Sequence, residues 1–137
     1  MIVADTNLIV YLLMNGPHTR ASESVFNKDP EWAAPLLWRS EFRNVLILQI
    51  RNRKLTLPEA QGFALDAIEI LADHEFEVDS AKVLELAVDK SLTAYDAEFL
   101  WLARELGVPL VTTDHEILKI AKREAMRPED FAPSKND

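Results

Sequence analysis

The chain contains no cysteine, which excludes disulfide bonds, thiolate metal ligands and thiol catalysis. It has only three glycines, and neither a GxxxxGK[ST] nor a GxGxxG loop is present, which argues against P-loop and dinucleotide-binding functions. A GxSxG nucleophile elbow is absent as well. The histidines His18, His74 and His115 have no HxxxH or HxH spacing, so a histidine zinc site is not indicated. Any metal must therefore be bound mainly by oxygen atoms.

Long hydrophobic runs are also lacking. No stretch approaches the roughly 18 consecutive apolar residues of a membrane span, and residues 1–5 lack the basic start of a signal peptide. We therefore expect a cytoplasmic protein with no membrane association. With 137 residues, 48% of them hydrophobic, the chain is predicted to form one domain over 1–132 and a flexible tail at 133–137.

Positive charge is scarce, and the net charge is −8. Such a balance argues against a broadly basic surface for nucleic acid. Carboxylates in a metal pocket would account for several of these charges, however, and bound ions would partly neutralise them. A nucleic-acid substrate is therefore not excluded by charge alone.

Short apolar segments alternate with amphipathic ones along the chain. Strands are predicted at 1–4, 32–35, 76–78 and 108–111. Helices are predicted at 8–14, 18–26, 36–51, 57–72 and 80–89, then in a periodic segment ending at 106 and in a final segment from 114 to about 123. This alternation predicts parallel strands joined by right-handed crossovers, hence an α/β fold of three layers, α/β/α, with a small sheet.

Four acidic residues occupy positions where the hydrophobic pattern predicts a protein interior; the acid quartet consists of Asp5, Glu41, Asp96 and Asp114. Asp5 and Asp114 directly follow predicted strands, while Glu41 and Asp96 lie on the apolar stripes of helices that begin at the same edge of the sheet. Ligands of such folds bind beyond the carboxyl ends of the strands. Because unpaired buried carboxylates are costly, we expect the quartet to meet a cation in one cleft.

Each acid also has an ordinary structural explanation. Asp5 or Asn7 could cap the first helix, and the segments Thr93-x-x-Asp96 and Thr113-x-x-Glu116 resemble capping boxes. Glu41 is not at a helix start signal, and its structural alternative is a salt bridge with a neighbouring arginine. Capping gives no reason, however, for the acids to share one edge of the sheet.

Two arginines flank Glu41 on its helix. Arg39 and Arg43 are four residues apart, so they share a helix face near the predicted cleft and could contact RNA phosphates. The alternative is that they pair with surface acids, and we favour this alternative for at least one of them.

Four segments resemble the motifs of PIN domains, and most closely those of the short VapC-type toxin ribonucleases. They are Asp5-Thr-Asn-Leu-Ile-Val-Tyr-Leu-Leu, Trp38-Arg-Ser-Glu-Phe-Arg-Asn, Ala94-Tyr-Asp-Ala and Leu110-Val-Thr-Thr-Asp-His-Glu-Ile-Leu. Their order and spacing cover nearly the whole chain. The resemblance implies a PIN-like fold with a sheet of four to five parallel strands and a metal-dependent endoribonuclease that hydrolyses RNA phosphodiester bonds. It further implies the toxin of a type II toxin–antitoxin pair, with a cognate antitoxin and a homodimer as partners.

The same resemblance assigns roles to individual residues. The acid quartet would bind Mg²⁺ or Mn²⁺ and form the catalytic site, with Asp5 and Asp96 as the first direct ligands. Asn7 and Thr112 occupy the family's supporting polar positions. Glu98 and Glu116, each two residues beyond a quartet aspartate, are candidate accessory ligands. The family often has a further strand after the last helix, but residues 125–131 give that strand little apolar pattern.

The ligand set fits this chemistry independently of the family. Hard oxygen ligands select Mg²⁺ or Mn²⁺, and a bound ion can activate water and stabilise a leaving oxygen without a protein nucleophile. Two alternatives stay open. One is a non-catalytic PIN-like module that binds RNA or protein, in which the acids are structural. The other is a phosphohydrolase of the haloacid-dehalogenase type, which needs an Asp-x-Asp pair where this chain has Asn7.

Overall fold

The computed structural model describes residues 1–133, which form a five-stranded parallel sheet flanked by helices. The strands are β1 (Ile2–Ala4), β2 (Trp32–Pro35), β3 (Glu75–Phe76), β4 (Leu110–Val111) and β5 (Ala125–Met126). The helices are α1 (Thr6–Leu13), α2 (Thr19–Lys28), α3 (Trp38–Arg51), α4 (Leu57–Ile70), α5 (Ser80–Lys90), α6 (Ala94–Leu106), α7 (His115–Ile120) and α8 (Pro128–Phe131). The predicted α/β class with a parallel sheet is confirmed.

The strand order β3-β2-β1-β4-β5 places β1 at the centre of the sheet. Every residue of β1 is buried and apolar, as expected for a parallel strand with both faces covered. The chain first adds strands on one side of β1 and then crosses to add β4 and β5 on the other. The carboxyl ends of β1 and β4 therefore meet at the switch point where ligands bind in such sheets.

Helix α6 is the main helix of the core. It packs against β1, β2 and β4, and its buried residues include Phe99, Leu100 and Ala103. The helix ends at Gly107, whose φ of 66° is the left-handed conformation that glycine adopts without a steric cost. The first turn of α6 carries Asp96, which lies beside Asp5 and Asp114 at the carboxyl edge of the sheet.

The fifth strand, which the sequence prediction left open, is present. Residues 125–126 form β5, which is parallel to β4 and pairs Leu110 with Ala125 and Val111 with Met126. The backbone N–H of Leu110 donates to the carbonyl of Glu124 at 2.8 Å. Residues 125–131 carry little apolar pattern, so pairing with β4 rather than local pattern defines this strand.

Several element ends also differ from the predicted ones. Helix α1 begins at Thr6 rather than at residue 8, β3 covers 75–76 rather than 76–78, and α7 ends at Ile120 rather than near 123. Of the predicted tail at 133–137, residues 134–137 lie outside the described residues. Within residues 1–133, no helix has the length and hydrophobicity needed to cross a membrane.

Candidate metal centre

Asp5 follows β1 directly and forms the N-cap of α1. Its Oδ1 accepts the backbone N–H of Thr6 at 2.8 Å, and its Oδ2 accepts the hydroxyl of Thr112 at 2.6 Å. Burial raises the pKa of Asp5 to about 6 despite these hydrogen bonds, and the charges of Glu41 and Asp96 act in the same direction. The carboxylate is thus held firmly in an environment that disfavours its charge.

Glu41 lies in the first turn of α3 and reaches across to α1. Its Oε1 accepts the hydroxyl of the buried Thr6 at 2.8 Å. Burial, followed by the negative charge of Asp96, raises the pKa of Glu41. The salt bridge considered for Glu41 is not observed, because no ion pair within residues 1–133 includes it. A hydroxyl donor therefore positions this acid without neutralising it.

Asp96 lies in the first turn of α6, and its backbone N–H donates to the hydroxyl of the N-cap Thr93 at 3.1 Å. The capping interaction uses the backbone of Asp96 and leaves its carboxylate to the cleft. Burial raises the pKa of Asp96, and the neighbouring charges of Asp114 and Glu116 raise it further.

Asp114 forms the N-cap of α7, where its Oδ1 accepts the backbone N–H groups of Glu116 at 2.9 Å and Ile117 at 3.0 Å. The cap is therefore Asp114, and the capping box suggested by Thr113-x-x-Glu116 is not the one that forms. The backbone N–H of Asp114 donates to the hydroxyl of Thr112 at 3.0 Å. Since Thr112 also donates to Asp5, it links the polar groups that follow β1 and β4.

The structure brings the acid quartet together in one cleft of about 250 Å³. The walls of the cleft are completed by Thr6, Asn7, Asn44 and Val45. Sequence reasoning did not single out Thr6 or Asn44. Thr6 stands inside the Asp5-Thr-Asn motif, and Asn44 lies three residues after Glu41 on the same helix face. Their closeness in sequence to quartet acids is thus the signal that could have identified both as cleft residues.

The other residues considered for the site lie around this cleft or away from it. Glu98 is partly buried, and burial together with the charge of Glu41 raises its pKa, although it does not line the cleft. Glu116 is exposed at the start of α7. Arg39 and Arg43 line a separate groove between α3 and α4, and Arg39 is bound to Glu75. Pairing with an acid, the alternative that we favoured for at least one arginine, is what the structure shows for Arg39.

The donor chemistry of the cleft fits a hard divalent cation. Every quartet side chain offers carboxylate oxygens, and no lysine or arginine within residues 1–133 forms a salt bridge with them. In that same part of the chain, no three His, Cys, Asp or Glu side chains are grouped tightly enough to hold an ion on their own. Mg²⁺ typically keeps several waters and binds through one or two carboxylates plus substrate phosphate, so its binding does not require three protein side chains gathered around one point.

Comparison with known proteins gives a family and several structures of similar fold. The sequence model of the PIN domain matches residues 2–123. No curated protein gives a significant match. The crystal structure of PAE2754 from Pyrobaculum aerophilum is similar with a TM-score of 0.76 and 23% identity, covering 96% of this chain and 92% of that one.

Two further structures have a lower sequence identity and also share the fold. A toxin–antitoxin complex from Klebsiella pneumoniae has a TM-score of 0.67 and 17% identity, and FitAcB from Neisseria gonorrhoeae has a TM-score of 0.70 and 17% identity. Both similarities cover 93% of this chain and 98% of the other. Because the family match extends over residues 2–123 of the 137, this chain belongs to the PIN domain family.

Proposed function

We propose that this protein is a metal-dependent endoribonuclease that hydrolyses RNA phosphodiester bonds with Mg²⁺ or Mn²⁺. The observation that carries the proposal is the convergence of the acid quartet in one cleft at the switch point of the sheet, with no cationic side chain of residues 1–133 paired to it. A protein that used these acids only as helix caps would have no reason to bring all of them together.

In the proposed site, Asp5 and Asp96 are the first metal ligands, and Glu41 and Asp114 complete the acidic pocket. The bound ion would act as a Lewis acid that lowers the pKa of a water and neutralises charge on the phosphate and the leaving oxygen. Thr112 holds the carboxylate of Asp5, and Thr6 holds that of Glu41, so the ligand oxygens are oriented before substrate arrives. The side chains of Asn7 and Asn44 line the cleft and can donate hydrogen bonds to phosphate or ribose oxygens.

We further propose that the protein is the toxin of a type II toxin–antitoxin pair, acting in the cytoplasm with a cognate antitoxin. Family membership supports this role, and the similar structure from Klebsiella pneumoniae is a toxin–antitoxin complex. A homodimer is also proposed, because α3 leaves Ile47 and Leu48 exposed and apolar residues grouped on one helix often mark an interface.

An RNA cleavage assay tests the catalytic proposal. Purified protein is incubated with total cellular RNA and Mg²⁺ or Mn²⁺, with and without EDTA, beside the variants Asp96→Asn and Asp66→Asn. Asp66 is an exposed acid on α4, so its variant makes the same chemical change away from the cleft. We expect discrete cleavage by the wild type and by Asp66→Asn, and none by Asp96→Asn or with EDTA.

Cleavage that survives both EDTA and Asp96→Asn would contradict the proposal. If the wild type neither cuts RNA nor binds Mn²⁺ at millimolar concentration in a calorimetric titration, the non-catalytic binding module becomes the better interpretation. Circular dichroism of each variant confirms that loss of activity is not loss of folding.

A further inference from the structure

Glu75, on the edge strand β3, binds the first turn of α3 through several short hydrogen bonds. Its Oε2 accepts the indole N–H of Trp38 at 2.8 Å and the Nε–H of Arg39 at 2.6 Å. Its Oε1 accepts the Nη2–H of Arg39, also at 2.6 Å. Arg39 thus forms a bidentate ion pair with the carboxylate of Glu75 through Nε and Nη2. This geometry gives the strongest and most directional ion pairs. The set of contacts made by Trp38, Arg39 and Glu75 is called here the α3 brace.

The α3 brace lies in a sheltered position. The side chain of Glu75 is only 15% exposed, and that of Arg39 is 41% exposed. The hydrogen bond from Arg39 is the largest influence that lowers the pKa of Glu75, so the ion pair favours the charged form of this carboxylate. Trp38 is buried and packs edge-on against Phe42 with ring centroids 5.8 Å apart. One end of the indole is therefore fixed by β3 and the other by the core.

Within residues 1–133, the only other side-chain hydrogen bond that ties the first turn of α3 to another element is the one between Glu41 and Thr6. Its N-cap residue is Leu37, which cannot accept a hydrogen bond from the first turn, and no side-chain cap is present. The preceding residue, Leu36, is tied to the edge strand by its N–H, which donates to the carbonyl of Phe76 at 3.1 Å. The brace therefore attaches the first turn of α3 to β3 through the side chains of Trp38 and Arg39, although no side chain caps the helix.

The first turn of α3 also carries Glu41, two residues beyond Arg39. Glu41 reaches the cleft only if this turn is placed so that its carboxylate meets the hydroxyl of Thr6 at 2.8 Å. Metal sites tolerate errors of only about 0.5 Å in the placement of their ligands. A shift of the first turn would therefore move Glu41 away from the cleft, while Asp5 and Asp114, which follow β1 and β4, would stay in place.

We propose that Glu75 is a positioning residue of the metal centre, holding the first turn of α3 through Arg39 and Trp38 so that Glu41 faces the cleft. This inference rests on the proposed function, since it requires that the acid quartet bind a divalent ion. It gives Arg39 a role that is structural and catalytically indirect, in place of direct contact with RNA.

Mn²⁺ affinity, measured by calorimetry on the full-length protein well below its unfolding temperature, tests the role of Glu75. Removal of groups that orient metal ligands typically costs about 10- to 100-fold in metal affinity, so we expect Glu75→Ala to weaken Mn²⁺ binding about tenfold. Arg39→Lys keeps the positive charge but loses the bidentate guanidinium group, and we expect it to lower Mn²⁺ affinity less than Glu75→Ala does. It also serves as the test variant if Glu75→Ala does not fold.

A double-mutant cycle separates positioning from general weakening of the fold. In a Glu41→Gln background, Glu75→Ala should change Mn²⁺ affinity by less than about twofold, because the group that Glu75 positions is already altered. The matched control is Glu124→Ala, which removes another ion pair, with Arg104, at the opposite end of α6 from Asp96. We expect this control to leave Mn²⁺ affinity unchanged.

The outcomes are distinguishable. Wild-type affinity in folded Glu75→Ala, or an equal loss in both backgrounds, overturns the positioning role and leaves the proposed function standing. Absence of Mn²⁺ binding by the wild type overturns both. Binding by the wild type without RNA cleavage removes the proposed function, while a Glu41-dependent loss in Glu75→Ala still supports the positioning role.

Discussion

Asp5 is expected to destabilise the metal-free protein at neutral pH. Burial raises its pKa from 3.8 to about 6. A carboxyl group with a higher pKa in the folded state binds more protons when folded, throughout the interval between the two pKa values. The contribution of protonated Asp5 to the free energy of unfolding is therefore fully present below about pH 4. It is lost as the pH rises to about 6, and it stays absent at higher pH.

The size of the effect follows from the shift. One pKa unit corresponds to about 1.4 kcal/mol, so a rise from 3.8 to about 6 corresponds to about 3 kcal/mol at neutral pH. Asp5→Asn removes this charge and keeps the N-cap, because asparagine caps helices as well as aspartate does. Its amide oxygen can accept the N–H of Thr6, and its amide nitrogen can donate to the hydroxyl oxygen of Thr112. Since the substitution weakens one of these two hydrogen bonds, we expect the free energy of unfolding of Asp5→Asn to exceed that of the wild type by only about 1–2 kcal/mol.

Urea unfolding in EDTA, followed by fluorescence of the buried Trp32 and Trp38, measures this gain. At about pH 7.5 Asp5→Asn should be more stable than the wild type, and at about pH 4 the difference should shrink because Asp5 is then largely neutral. Saturating Mn²⁺ should reverse the order, since ligand at about 100 times its Kd stabilises the folded state by about 2.7 kcal/mol and the variant lacks a ligand.

The reasoning is refuted if Asp5→Asn is less stable than the wild type in EDTA at about pH 7.5, or if the difference persists unchanged at about pH 4. Asp66→Asn serves as the control, because Asp66 is exposed and surface substitutions usually change stability by less than about 0.5 kcal/mol.

Two further substitutions test other parts of the structure. Thr6→Val removes the hydroxyl that binds Glu41 and should weaken Mn²⁺ binding about tenfold, as measured by calorimetry. Thr6→Ser keeps the hydroxyl and should retain most of the affinity. Equal losses of affinity in the two variants would show that the hydroxyl is not responsible. Gly107→Ala should lower the free energy of unfolding by about 1 kcal/mol without changing Mn²⁺ affinity, because φ is 66° at this position. Apart from Gly107 and the adjoining backbone, no atom of residues 1–133 lies within 4 Å of the added methyl group, so the loss is conformational, and unchanged stability in urea would contradict it.

The main features of the fold were accessible from the sequence because they are periodic. The second strand was predicted at 32–35 and lies at Trp32–Pro35, and the third helix was predicted at 36–51 and lies at Trp38–Arg51. The sequence left strand β5 open, because residues 125–131 carry little apolar pattern and the strand depends on pairing with β4. Local signals thus located most of the elements, while β5 required its tertiary pairing with β4.

In the cleft, helix capping and a metal site proved to be compatible. Asp5 and Asp114 are both N-caps, as their local sequences suggested, and both line the cleft. Parallel topology allowed us to anticipate that they share one edge of the sheet, and the adjacency of β1 and β4 brings them together there. The partner of Arg39 could not be anticipated, because Glu75 is 36 residues away and no local pattern connects them. The contact between Thr6 and Glu41 is likewise a tertiary feature.

Anomalous diffraction from crystals grown with Mn²⁺ is the most direct test of the metal centre. We predict an anomalous peak in the cleft lined by the acid quartet, about 2 Å from a carboxylate oxygen of Asp5 or Asp96. Crystals of Asp96→Asn grown in the same way should show a weaker anomalous peak in this cleft or none. Absence of a peak in the wild-type cleft at saturating Mn²⁺, or a peak held only by residues outside the quartet, would contradict the assignment of these acids as a metal site.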